Sequence, residues 1–239
     1  MHDADDPYDQ LGEGYAAHNE VAPYNALYER PAMLALLGDV AGRDVLDLGC
    51  GPGVLAAALV DAGARVTGLD RSEAMLRVAA RRLDGRAVLR RHDLADALPV
   101  ADASVDVVVA GLVLHYLADW APVLGEVHRV LRPGGHLVAS VHHPFADGAL
   151  PSLEPERRGP YAESHLLAEA WSMGGRSAVV RFWHHPLGRM IGWITGAGFV
   201  LTDVIEPEPV PAMATSHPEA FARLSDKPAF LLVEACRAG

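Results

Sequence analysis

The chain has 239 residues, of which 50% are hydrophobic and 21% charged, with a formal net charge of −11. That length holds one domain with a sizeable core, and the acidic balance excludes a general nucleic-acid binder, which needs a cationic face to displace phosphate counterions. No stretch reaches ~18 uninterrupted apolar residues, so no membrane-spanning helix is expected.

The opening "MHDADDPYDQ" is acidic and lacks the basic-then-apolar order of a secretory leader. With only two cysteines, Cys50 and Cys236, a reduced, cytoplasmic protein is expected. "DVLDLG" (44–49) and "ARVTGLD" (64–70) are short, aliphatic and closed by turn residues, as buried strands are. Between them "VLAAALVDAG" (54–63) is a helix ending at Gly63. "SEAMLRVAARRL" (72–83) is a helix capped by Ser72. The six arginines of residues 77–92 read as a solvated helix and strand edge. "AVLRRHD" leads a third strand into a loop, "VDVVVAG" (105–111) is a fourth, and "WAPVLGEVHRVL" (120–131) is a helix. "RPGG" then turns into a fifth strand, "HLVASVHH". Such alternation gives right-handed crossovers and a parallel sheet with helices on both faces. Ligands of such sheets bind outside the carboxyl ends of the strands, where the strand order reverses.

After residue 145 the pattern breaks. "FADGALPSLEPERRGPY" reads as loop, "SAVVRFWHH" (177–185) as an extra strand and "LGRMIGWITGAG" as a helix, followed by strands in "FVLTDVIEP" and "PAFLLVEACRA".

"VLDLGCGPG" (45–53) places Gly49, Gly51 and Gly53 directly after the first strand. Glycines there allow a tight turn and bring bare backbone against a ligand at a helix N-terminus. A dinucleotide loop has its third glycine at the sixth position, which here is Val54, and a phosphate loop needs a lysine followed by Ser or Thr. Neither is present, so the spacing favours a ligand without a pyrophosphate. Asp70 ends the second strand about twenty residues on, where an acid accepts from ribose hydroxyls. Asp93 follows the third strand and is placed to accept from an exocyclic amine.

"VLDLGCGPG", "GLDRSEAML", "RHDLADALPVADASVDVVVAGLVLHYLADW" and "LRPGGHLVAS" together resemble successive motifs of the class I S-adenosylmethionine-dependent methyltransferases, over residues of about 43–141. "YDQLGEGYAAH" is similar to the opening of their small-molecule, type 11-like branch. The resemblance implies a Rossmann-like three-layer α/β sandwich on a mostly parallel seven-stranded sheet with an antiparallel last strand. It implies one methyltransferase domain over residues 1–239, with a helical lid at 1–40 and a substrate-cap insertion at 145–186. It further implies that the Gly49–Gly53 loop, Cys50 included, packs against the methionine part of S-adenosylmethionine, while Asp70 holds the ribose. Arg71 and Met75 would flank the adenine, and Asp93 with the Leu94 amide would read its amine. Asp47, helped by the Gly111 carbonyl, would orient the loop and the cofactor's amino group, and Tyr15 would close over the cofactor.

A sulfonium makes its methyl a strong electrophile, so the work is mainly positioning. A hydroxyl, phenol or carbon acceptor also profits from a general base, and histidine titrates near neutrality. His115 after the fourth strand, His143 ending the fifth and His184 ending the extra strand are the candidates. Where His185 stands the related enzymes more usually carry arginine. A metal bound by the two His-His pairs lacks any supporting cysteine or carboxylate cluster, so none is expected. The expected partner is a small-molecule acceptor, with no nucleic acid and no membrane, in a monomer or homodimer. Two alternatives stay open: a protein of this fold doing non-methylating, cyclase-like chemistry, and a Rossmann dehydrogenase.

Overall fold

The structure is a computed structural model that describes residues 6–147 and 159–238. Helix α1 (Pro7–Val21), a π-helical turn (Asn25–Glu29) and α2 (Arg30–Leu37) precede the sheet. Then come β1 (Asp44–Leu48), α3 (Val54–Asp61), β2 (Arg65–Asp70), α4 (Glu73–Leu83), β3 (Val88–Arg91) and β4 (Val105–Gly111). A 3-10 turn (Leu114–Tyr116) leads to α5 (Ala121–Val130), β5 (Leu131–His142) and the short α6 (Pro144–Asp147). The chain continues through β6 (His165–Met173), β7 (Arg176–His184), α7 (Leu187–Gly196) and β8 (Phe199–Ile205). It finishes with α8 (Ala212–Ser216), α9 (Pro218–Asp226) and β9 (Phe230–Arg237).

Seven strands form one sheet in the order β3-β2-β1-β4-β5-β9-β8, parallel except that β9 runs against both neighbours. Period-2 alternation deals the strand residues into two cores. Val108 and Ala110 of β4 pack with α5 (Leu124, Val127) and α7 (Met190, Ile194). Val107 and Val109, one residue away, pack with α2 (Met33), α3 (Leu59) and α4 (Leu83). The strand order reverses between β1 and β4, which puts the ligand crevice over their carboxyl ends.

Three details differ from the sequence reading. Helix α5 ends at Val130, and Leu131 already pairs with Val105 before the β4–β5 ladder resumes at His136 opposite Val107. The extra strand, β7, has a partner that the sequence reading left as insertion: β6 and β7 form a separate antiparallel hairpin. Its two-residue turn, Gly174–Gly175, has φ of +58° and +76°, as the right-handed twist of a tight hairpin requires. The loop expected from residue 145 falls largely on residues 148–158, outside the described residues; Pro144–Asp147 is a helical turn.

Two contacts hold α1 over the sheet edge. Asp9 Oδ1 accepts from Ser72 Oγ at 2.6 Å and from the Ala74 amide at 2.8 Å, pinning α1 to the start of α4. On its other side Gly14 lies against the hairpin turn, where an added Cβ would meet the Met173 carbonyl oxygen at 2.8 Å and Gly174 Cα at 3.0 Å.

Candidate active site

A cavity of about 390 Å³ opens at the carboxyl ends of β1, β2 and β4, roofed by α1 and flanked by the β6–β7 hairpin. The glycines that open it play three different parts, all at positive φ (+66°, +54° and +75°). A Cβ on Gly49 would lie 2.4 Å from Val113 Cγ2, so this glycine lets the loop pack on the segment after β4. On Gly51 the nearest atom would be the Gly49 carbonyl oxygen at 4.0 Å, and the position lines the cavity. Gly53 does not line it; a Cβ there would meet Ala79 Cβ at 3.0 Å, so it packs α3 against α4. Cys50, buried between them, lines the cavity, and burial pushes its thiol well above the usual range.

Asp70 is wired to the loop. Its Oδ2 accepts the Gly51 amide and its Oδ1 the Ser72 amide, both at 2.8 Å. Each oxygen keeps a lone pair for a further donor. Burial pushes the carboxyl up to about 6, with Asp6 and Asp9 adding to the effect. Asp47 is 2% exposed and lines the cavity, yet its Oδ2 has no hydrogen-bond partner among the described residues. Burial raises it to about 8, reinforced by the nearby Asp70 and Glu29. A buried, orphaned acceptor is costly unless a ligand supplies the donor.

Further round the wall, Arg71 lines the cavity and pairs with Asp6 at 2.7 Å. Met75 is buried beside it, and Asp93, whose Oδ1 accepts the Ala95 amide at 3.0 Å, lines the same end with Leu94. Gly111 closes β4 at the opposite wall. Tyr15 stacks on Trp171 with ring centroids 6.1 Å apart, and Tyr8 meets it edge-on at 4.7 Å. Burial pushes Tyr15 up to about 12.

None of the three candidate histidines is among the lining residues; the lining histidine is His92. His115 is 1% exposed, stacks on His142 at 4.0 Å, and is held well below its ordinary pKa by burial. His143 Nε2 sits 2.9 Å from Glu206 Oε1. His184 Nε2 donates to the Tyr161 carbonyl at 3.0 Å, and the ring stacks on His165. A strand-end position fixes where a residue's backbone lies, but the alternation of side chains turns these rings into the packing between the sheet, the hairpin and their neighbours. Among the described residues no group of three or more His, Cys, Asp or Glu is placed to hold a metal ion.

The methyltransferase-domain family profile matches residues 46–139, which run from β1 into β5. Among solved structures, an S-adenosylmethionine-dependent methyltransferase from Mesorhizobium loti is 30% identical and superposes with a TM-score of 0.70 over 92% of this chain and 100% of its own. The chain belongs to the S-adenosylmethionine-dependent methyltransferase family. A putative member from Listeria monocytogenes is 27% identical with a TM-score of 0.72, over 88% and 96% of the two chains. Among curated proteins, the malonyl-[acyl-carrier protein] O-methyltransferase of Pseudescherichia vulneris is 35% identical over 61% of this chain and 55% of its own. The chain spans about half the length of the first curated relatives it matches.

The residues present fit the family's cofactor. A cationic ammonium would answer the orphaned Asp47 oxygen, ribose hydroxyls would answer the open lone pairs of Asp70, and Gly51 would leave room for the ligand's own atoms. Three lining groups of this family member, Glu29, Arg30 and Tyr8, were not singled out from the sequence. Glu29 and Arg30 come from the π-helical turn and the first residue of α2. Glu29 Oε1 accepts Ser140 Oγ at 2.6 Å, and Ser140 Oγ accepts the Leu112 amide at 3.0 Å, where Leu112 holds a φ of +51°. Tyr8 and Tyr116 hydrogen-bond through their hydroxyls, and burial raises both pKa values far from the base range. Among these, a π-helical stretch is a known marker of functional sites, but it has no sequence signature of its own.

Proposed function

We propose that this chain transfers the methyl group of S-adenosylmethionine to a small-molecule acceptor. The observation that carries the reading is Asp47, a buried carboxyl with an orphaned oxygen facing a cavity that also holds Gly51 and Asp70. When bound, the cofactor supplies a methyl on a sulfonium; a lone pair of the acceptor forms the new bond to carbon while the carbon–sulfur pair leaves to sulfur. The acceptor's proton, where it has one, goes to water. In this reading Asp47 and the Gly111 carbonyl hold the ammonium, and Arg30 faces the carboxylate. Asp70 takes the ribose hydroxyls, Arg71 and Met75 flank the adenine, and Asp93 with the Leu94 amide reads its amine. Tyr15 and Tyr8 roof the site and exclude water. Rate enhancement then comes from alignment, with the three histidines serving as packing groups.

The test is calorimetry followed by label transfer. S-adenosylhomocysteine is expected to bind in the micromolar range and NAD(H) not to bind. Methyl-labelled cofactor is then expected to label an extracted small molecule. Binding of NAD with no response to S-adenosylhomocysteine overturns the reading.

A further inference from the structure

We infer that the acceptor side of the cavity is built for an amphipathic anion, an apolar molecule carrying a carboxylate, sulfonate or phosphate group, with Arg181 as its anchor. The inference rests on the reading above, because it concerns the acceptor of that same transfer. In the hairpin register Leu166 faces Trp183, Ala168 faces Arg181 and Ala170 faces Val179, so these six side chains share one face of the ribbon. The opposite face, with Leu167, Val180 and Phe182, is buried against Leu11 of α1. The shared face is not covered: Leu166 is 49% and Val179 46% exposed, and both line the cavity. Exposed aliphatic side chains that continue a cofactor cavity mark a place for an apolar ligand.

The charge on that face is a single cation. Three arginines line the cavity, and two have partners: Arg71 pairs with Asp6 at 2.7 Å, and Arg30 donates to the Asn19 carbonyl at 3.1 Å. Arg181 has no hydrogen bond or ion pair among the described residues, in a chain whose net charge is −11. Arg181 lines the cavity together with Leu166 and Val179 on that face, and a guanidinium's planar fork of donors suits bidentate capture of an oxyanion.

The test uses two dyes on the full chain saturated with S-adenosylhomocysteine: the anionic 8-anilinonaphthalene-1-sulfonate and the neutral N-phenyl-1-naphthylamine. The sulfonate dye is expected to bind, to weaken at least tenfold in Arg181→Gln, and to lose less than threefold in Arg181→Lys, which keeps the charge. The neutral dye is expected to bind equally to wild type and Arg181→Gln and to weaken in Leu166→Ser. S-adenosylhomocysteine affinity is expected to stay unchanged in all three variants. No sulfonate-dye binding to wild type, or equal binding to Arg181→Gln, overturns the inference. Failure of S-adenosylhomocysteine to bind wild type overturns the cofactor reading instead, and the dye comparison between wild type and Arg181→Gln still reads the anion site by itself.

Discussion

Asp70 Oδ2 accepts the Gly51 amide at 2.8 Å, so the acid that closes β2 also fixes the loop that follows β1. The same carboxylate holds the Ser72 amide at the start of α4. On the proposed function, removing it is therefore expected to act twice, on the loop and on the ligand. Asp70→Ala is expected to cost about 1.5–3 kcal/mol for a charge-assisted bond, a tenfold or greater loss of S-adenosylhomocysteine affinity by calorimetry. Circular dichroism is expected to show the fold retained. An unchanged dissociation constant would limit Asp70 to a turn-forming role.

Asp47 gives the pH dependence its sign. Its carboxyl is raised from 3.8 to about 8 in the folded chain, so the folded state keeps a proton that the unfolded chain gives up. The stability from this group is full below 3.8 and is lost as pH rises towards about 8. Asp70 adds a loss over the narrower window from 3.8 to about 6. The melting temperature of the ligand-free protein is expected to fall between pH 5 and 8, by about 2–4 °C for each kcal/mol. In Asp47→Asn that decline flattens.

Binding reverses the preference, because a ligand ammonium favours the Asp47 carboxylate. At pH 7 the uptake of S-adenosylhomocysteine is expected to release protons into the buffer. The measurement is the binding enthalpy in phosphate and in Tris, which differ in ionisation enthalpy. A buffer-dependent enthalpy in wild type that disappears in Asp47→Asn is the expected outcome; no buffer dependence removes Asp47 as the partner of the ammonium.

The glycines separate by role. Gly51→Val places its side chain in the cavity at a positive φ, so cofactor binding is expected to vanish. Gly53→Ala meets Ala79 Cβ at 3.0 Å while holding a φ of +75°. A left-handed residue with a Cβ costs about 1–2 kcal/mol, so its melting temperature is expected to fall while affinity drops less than in Gly51→Val. Equal loss of binding in both would merge the two roles.

For the histidines stability is expected to respond before turnover. His115→Ala empties a buried site stacked on His142 and is expected to cost about 2–4 kcal/mol. His143→Ala removes the contact with Glu206 and also empties a buried site, the His143 side chain being 5% exposed, so it is likewise expected to cost about 2–4 kcal/mol. Turnover of these variants and of His184→Ala, assayed from pH 6 to 9, is expected to keep the wild-type profile. A hundredfold loss at one of them, with cofactor affinity intact, would restore it as a base.

Most of the sheet was legible because its strands are aliphatic runs closed by Gly or Asp, and the glycine loop and Asp70 share one short βαβ unit. The hairpin was only half legible. "HLLAEAWSM" has too little alternation to announce a strand, and its pairing is set by Gly174–Gly175 and by burial of Leu167 against Leu11, a residue more than a hundred positions away. Glu29 was hidden for the same reason: its hydrogen-bond partner, Ser140, lies 111 positions further along the chain. The histidines show the opposite case, where local sequence placed the backbone well and left the side-chain direction undetermined.

Gly14 and Gly174 meet backbone to backbone at the hairpin tip, and beside them Leu11 packs against Leu167, Val180 and Phe182, so the helix that roofs the cavity is fastened to the hairpin that flanks it. A swing that lifted α1 off the cavity would therefore carry the hairpin tip with it, and both ends of the crevice would share one door. On the proposed function, spent cofactor and product would then leave through the same opening event, and their release would be coupled in time.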